Sequence, residues 1–118
     1  MRHVRYPVVC LGLAASVAGC GGSGGTDPGT TPPPGSTPEV FTPGNVFSPF
    51  SLKIAAGDSV RFNITGTSHN VIFRSVAGAP ANINVVTNTV VVRRFPAKGT
   101  FPYDCTVHPG MSGEIVVQ

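Results

Sequence analysis

The sequence predicts a single all-β domain, a sandwich or a barrel. Val, Ile, Phe and Thr crowd its C-terminal two thirds, while strong helix formers are sparse there. Apolar residues alternate with polar ones at period two, most cleanly in Ser59–Ile64. Turn signals punctuate the runs about every eight to twelve residues, the rhythm of sheets packed on one another. The chain has 118 residues, enough for one domain and no more.

Residues 1–19 read as a leader rather than as part of that domain. Met1–Arg5 is basic, and Val8–Val17 is an apolar run of about ten residues, too short to span a bilayer. Its length suits the core of a secretory signal. Small residues follow it, and Val17-Ala18-Gly19-Cys20 resembles the bacterial lipobox, in which cleavage precedes an acylated cysteine. An ordinary secretory signal with an incidental cysteine is the alternative. Two or three acyl chains on Cys20 would anchor the protein stably, where a single chain would not.

Residues 20–38 hold almost no apolar side chains. Gly-Gly-Ser-Gly-Gly gives way to Thr, Pro and Gly, including Pro32-Pro33-Pro34. Such a composition forms no core and predicts a tether, flexible at first and stiffer later. Extended at about 3.1 Å per residue, it would reach on the order of 50 Å. The glycines are not a phosphate-binding loop, since no strand precedes them and no helix follows.

The domain is expected over residues 39–118. Phe41 and Val46-Phe47 begin a first strand that Pro43-Gly44 interrupts. Phe50–Ile54 alternates, which would put Phe50, Leu52 and Ile54 on one face. Ala56-Gly57-Asp58 is a turn signal. In Ser59–Ile64, Val60, Phe62 and Ile64 face inward, while Arg61 and Asn63 face water. Thr65-Gly66-Thr67 turns the chain into His69–Phe73. Residues 75–88 are not assigned by pattern. Thr89–Phe95 is a strand, and Pro96–Gly99 turns into Thr100–Cys105, where Phe101, Tyr103 and Cys105 share a face. Pro102 has no N–H to donate, so this strand is expected at a sheet edge or with a bulge. Gly113–Val117 returns as the last strand.

Charge argues against nucleic acid as a partner. Without Arg2 and Arg5 of the leader, six Lys and Arg face five Asp and Glu. No basic stripe interleaved with aromatics exists. Arg93, Arg94 and Lys98 form the densest basic stretch and read as a solvated strand end. Cys105 is the only cysteine of residues 39–118, so the domain holds no internal disulfide. A core built from about eighty residues is marginal unaided, and a bound metal would stabilise it by linkage.

Residues able to hold a metal are few and clustered. Cys105-Thr106-Val107-His108-Pro109-Gly110-Met111 sets a thiol, an imidazole and a thioether at C-x2-H-x2-M spacing between two strands. The remaining histidine of the domain, His69, lies far upstream at the start of a strand. A thiolate, two imidazoles and a weak thioether suit one soft, redox-active ion, copper above all. Zinc accepts His and Cys too, but a thioether is not among its usual ligands. Asp104 alternates to the opposite face and should point away.

In these motifs the domain resembles the plastocyanin/amicyanin group of cupredoxins. Val46-Phe47-Ser48-Pro49, Gly57-Asp58-Ser59-Val60, His69-Asn70-Val71, Gly99–Cys105 and Met111-Ser112-Gly113 follow the order of that family's landmarks. The resemblance implies a Greek-key β-sandwich with a type 1 blue copper site. His69, Cys105 and His108 would be its equatorial ligands and Met111 its long axial ligand. Asn70 matches a position that braces the cysteine loop by hydrogen bonds. Plastocyanin-like loops have four residues between His and Met; this one has two, as in amicyanin.

The implied activity is the shuttling of single electrons, as Cu(I) and Cu(II), between transient redox partners. Its setting would be a bacterial envelope, with a monomer anchored through Cys20 and facing the periplasm or the exterior. An enzyme is not expected, because copper reductases and oxidases of this fold need further copper sites and more histidines. A Cys105–His108 hydrolase leaves Met111 without a role. A module for copper storage, delivery or resistance would use the same four ligands.

Overall fold

The computed structural model describes residues 29–118; the leader and Cys20 lie outside the described residues. Within those residues eight strands form two sheets, and there is no helix: β1 Glu39–Phe41, β2 Ser51–Ile54, β3 Ser59–Ile64, β4 His69–Phe73, β5 Ile83–Val86, β6 Thr89–Arg94, β7 Gly99–Asp104 and β8 Ser112–Val117. One sheet has the order β1-β3-β6, the other β2-β8-β7-β4-β5. β1 lies parallel to β3 and β2 parallel to β8, so the chain crosses between sheets as the Greek-key sandwich requires.

The core lies between the sheets and is built by alternation. Val60, Phe62 and Ile64 of β3 are buried, with Leu52, Ile54, Phe101, Tyr103, Ile115 and Val117 from the facing sheet. Phe62 meets Tyr103 and Phe73 edge to face, at ring separations of 5.5 and 6.1 Å. Edge-on packing sets the positive rim of one ring against the negative face of the next, worth about 0.5–1.5 kcal/mol per pair beyond burial. On the outer side of the smaller sheet, β6 exposes Val90 and Val92.

Three expectations need correction. Pro102 does not mark an edge, because β7 lies between β8 and β4. The Pro102 carbonyl accepts the Arg74 N–H at 2.9 Å, just past the end of β4. In an antiparallel ladder the N–H and C=O of one residue face the same neighbour. The donor that proline lacks therefore falls where β4 has already stopped. Phe50 is exposed rather than on the inner face; it precedes β2, and alternation is informative only within the regular strand. Phe41 does lie in a first strand, β1, in which Val40 is the buried residue. Val46-Phe47 is not strand, although an isolated bridge joins Ser48 to Phe41. In the unassigned stretch β5 forms, and Asn82 Oδ1 accepts the Phe73 N–H at 2.8 Å.

The described part of the compositional tether lies against the domain. Thr30 bridges Leu52 in parallel: its N–H donates to Ser51 O at 2.9 Å, and its carbonyl accepts the Lys53 N–H at 2.8 Å. Residues 31–38 then arch past Ile54, Asp58 and Gln118, enclosing a groove of about 520 Å³. Backbone hydrogen bonds do this docking, and composition does not report them.

Candidate metal centre

The site forms at one end of the sandwich, where β4 begins, β7 ends and β8 begins. β4 opens with three consecutive buried residues, His69, Asn70 and Val71, which simple alternation forbids. The register between β4 and β5 shifts between His69 and Val71. Such an irregularity re-aims side chains, and here two adjacent polar residues both turn inward. Their donors have distinct tasks. His69 faces the thiol of Cys105, while Asn70 reaches across to the next residue of the loop.

That loop is closed at its neck. The Cys105 N–H donates to Met111 O at 2.8 Å, and the Met111 N–H donates to His108 O at 3.1 Å. Asn70 holds it from the side, donating from Nδ2 to Thr106 Oγ1 at 2.7 Å and accepting the Thr106 N–H on Oδ1 at 2.8 Å. Asn70 is thus joined to the loop by two short hydrogen bonds. Asp104 points away and pairs with Arg74 at 3.0 Å on the surface.

His69, Cys105 and His108 offer ligand atoms that all lie within 4.8 Å of one another. Cys105 Sγ is 3.8 Å from Nδ1 of His69 and 3.8 Å from Nδ1 of His108. A metal–thiolate bond of about 2.3 Å and a metal–imidazole bond of about 2.0–2.1 Å, subtending about 120°, would separate sulfur and nitrogen by about 3.8 Å. The gap therefore fits one ion between the three donors. Cys105 and Met111 are buried and His69 is wholly enclosed, whereas His108 is half-buried between exposed Val107 and Pro109.

His69 Nε2 lies 3.1 Å from Thr67 Oγ1. The tautomer carrying its proton on Nε2 donates to that hydroxyl and leaves the Nδ1 lone pair facing the thiol. Ring orientation by a partner of this kind commonly accompanies metal ligation. Sequence reading missed Thr67 and Thr106, because Thr-Gly-Thr signals only a turn and Thr106 only a loop. Neither carries a mark that could have singled it out.

Burial, and then the neighbouring His108, lower the affinity of His69 for a proton below its ordinary value of 6.5. A neutral imidazole is the form that binds a metal. The sign of the linkage follows. The unfolded state takes up a proton near 6.5 and the folded state resists it, so stability present above that value is lost as pH falls below it. Metal-free protein should therefore unfold at lower urea concentration at pH 5.5 than at pH 7.5. Equal midpoints would show that His69 is not held neutral.

Comparison with known proteins agrees with this geometry. The family described as "Copper binding proteins, plastocyanin/azurin family" matches residues 43–118. Amicyanin-alpha of Methylorubrum extorquens (strain ATCC 14718 / DSM 1338 / JCM 2805 / NCIMB 9133 / AM1) is 32% identical over 122 residues, covering 100% of both chains. An amicyanin carrying a single proline-to-alanine substitution, in its oxidised state, superposes with a TM-score of 0.63 at 28% identity, over 70% of this chain and 82% of that one. A copper-containing nitrite reductase from Thermus scotoductus SA-01 shares the fold at a TM-score of 0.67 and 23% identity, over 81% of this chain but 29% of its own.

Proposed function

The chain belongs to the copper-binding plastocyanin/azurin family, and on that premise we propose that it is a type 1 copper protein carrying single electrons at a bacterial envelope. One observation carries the reading: a thiol lies 3.8 Å from each of two imidazole nitrogens, with a buried methionine closing the same loop. Copper held there supplies one-electron chemistry between Cu(I) and Cu(II). Cys105, His69 and His108 would hold it, with Met111 as a fourth, weaker donor. The side chains stand where two sheets and a closed loop put them, so both oxidation states meet nearly the same donor positions. His69 is walled in, while His108 shows one edge to solvent among Val107 and Pro109. That edge is the port through which an electron enters and leaves. A shallow apolar rim around it suits the small, transient contacts of redox partners.

Two histidines in residues 39–118 leave none for a second copper centre, which supports a carrier rather than an enzyme. Cys20, after Val17-Ala18-Gly19, is the proposed point of lipid attachment, and the membrane it selects is that of a bacterial envelope.

Adding Cu(II) to the purified chain tests the carrier reading. An intense blue band, with reversible one-electron reduction, is the expected result. Val107→Asp should keep that band and slow electron exchange with a redox partner at least several-fold. Copper bound without colour would mean a storage or delivery module, and unchanged exchange rates would move the port away from His108.

A further inference from the structure

We infer that docking of residues 29–38 aims the metal-bearing end of the domain at the membrane, so that its electron partner is a redox group held in or at the same bilayer. The inference rests on Cys20 as the lipid anchor and adds to it a direction and a length.

Direction comes from strand polarity. β2 pairs with β8 in parallel, Ser51 opposite Glu114, and β8 starts directly after Met111. The first residues of β2 therefore lie at the metal-bearing end. Thr30 runs parallel to β2 beside Leu52. An ideal Cβ at Gly29 would lie 3.1 Å from Ser51 Oγ and 2.9 Å from Lys53 Cγ. Gly29 is thus the end of the docked segment nearer the metal site, and residues 31–38 travel away from it towards Gln118.

Length comes from where the docking begins. Between Cys20 and Gly29 there are nine residue steps; had the tether stayed free to Glu39 there would be nineteen. Whatever their conformation, nine residue steps reach at most about 30–32 Å. A protein held so closely, and by that end, presents His108 to the lipid surface rather than to the bulk solvent. Roughly doubling the leash would dilute the site at the surface about threefold, by the −3/2 power of length.

The test uses the full-length lipidated, copper-loaded protein on phosphatidylcholine vesicles. Cu(II) is reduced either by ascorbyl palmitate in the bilayer or by free ascorbate in water. The two reductants share one headgroup, and each gives one electron to one Cu(II), leaving an ascorbyl radical that disproportionates. G29V/T30P places a side chain against Ser51 and Lys53 and removes the Thr30 N–H, so it undocks the segment. The blue band should persist, and exchange of the Lys53 amide should accelerate. Reduction by ascorbyl palmitate should slow at least threefold relative to free ascorbate. Vesicle-bound protein whose rate ratio does not change overturns the inference alone, as does a Lys53 amide that already exchanges fast in the unaltered chain. Protein that stays in the aqueous fraction on flotation overturns the anchoring reading and this inference with it.

Discussion

Cys105→Ser is expected to abolish the blue absorption entirely and to weaken copper binding by more than about 100-fold. Loss of an outer-shell partner alone commonly costs about 10–100-fold in metal affinity, and this change removes the thiolate itself. Sulfur is the donor that gives the site its colour and its preference for a soft ion. A serine hydroxyl does not ionise near neutral pH, and it is shorter than a thiol. The fold should survive, because Cys105 is buried beside the site and its backbone bond to Met111 remains. Competition against a Cu(I) chelator would measure the loss, with circular dichroism confirming the sandwich. A blue Cys105→Ser protein would remove the thiolate from the assignment.

Gly113→Ala should be the most damaging single methyl group that can be added near the site. An ideal Cβ there would lie 2.6 Å from Tyr103 Oη, 2.7 Å from Cζ and 2.9 Å from Cε2. The Tyr103 ring is fully buried and wedged edge to face against Phe47 at 4.9 Å and Phe62 at 5.5 Å. It cannot swing aside without disturbing those rings. Overpacking of a filled core typically costs about 1–3 kcal/mol, and backbone-adjacent contacts this short belong at the upper end. At about 4–8 °C per kcal/mol for a domain of this size, the melting temperature should fall by roughly 12–24 °C. Thermal unfolding of the copper-free protein measures it, and a drop under a few degrees would show that the ring has room to move. Tyr103 has little to lose at its tip. Its hydroxyl is the one buried side-chain oxygen or nitrogen among the described residues without a hydrogen-bond partner. Burial, and then Glu114, push its proton affinity well above the ordinary value, so the phenol stays neutral throughout.

Much of this could be read from the chain itself. Period-two alternation located β3 and the inward faces of Val60, Phe62, Ile64, Phe101 and Tyr103, because a half-buried strand imposes that period on the residues it can hold. Scarcity made the metal residues legible: two histidines, one cysteine and one methionine in residues 39–118 leave little choice. What could not be read depends on neighbours distant in sequence. Pro102 suits a central strand only because β4 ends beside it. Three buried residues in a row at His69–Val71 depend on a register shift against β5. The docking of Thr30 uses main-chain groups that every residue possesses. Thr67 orients His69 through a hydroxyl that, in sequence, is one of many.

The bare rim of β6 has a meaning for populations of molecules rather than for one. Alternate residues of β6 turn their main-chain groups away from β3, where no strand pairs with them among the described residues, and Val90 and Val92 make their surroundings greasy. Exposed rims of this sort invite another copy to add itself. With six basic against five acidic groups in residues 20–118, overall repulsion between copies is slight. Arg93 and Arg94 at the end of that rim are then the local gatekeepers of colloidal behaviour. Losing Arg93 would also release the Ala81 and Asn82 carbonyls it holds at 2.8 and 2.9 Å, so the change would tell on a solitary molecule as well as on a crowded surface of them.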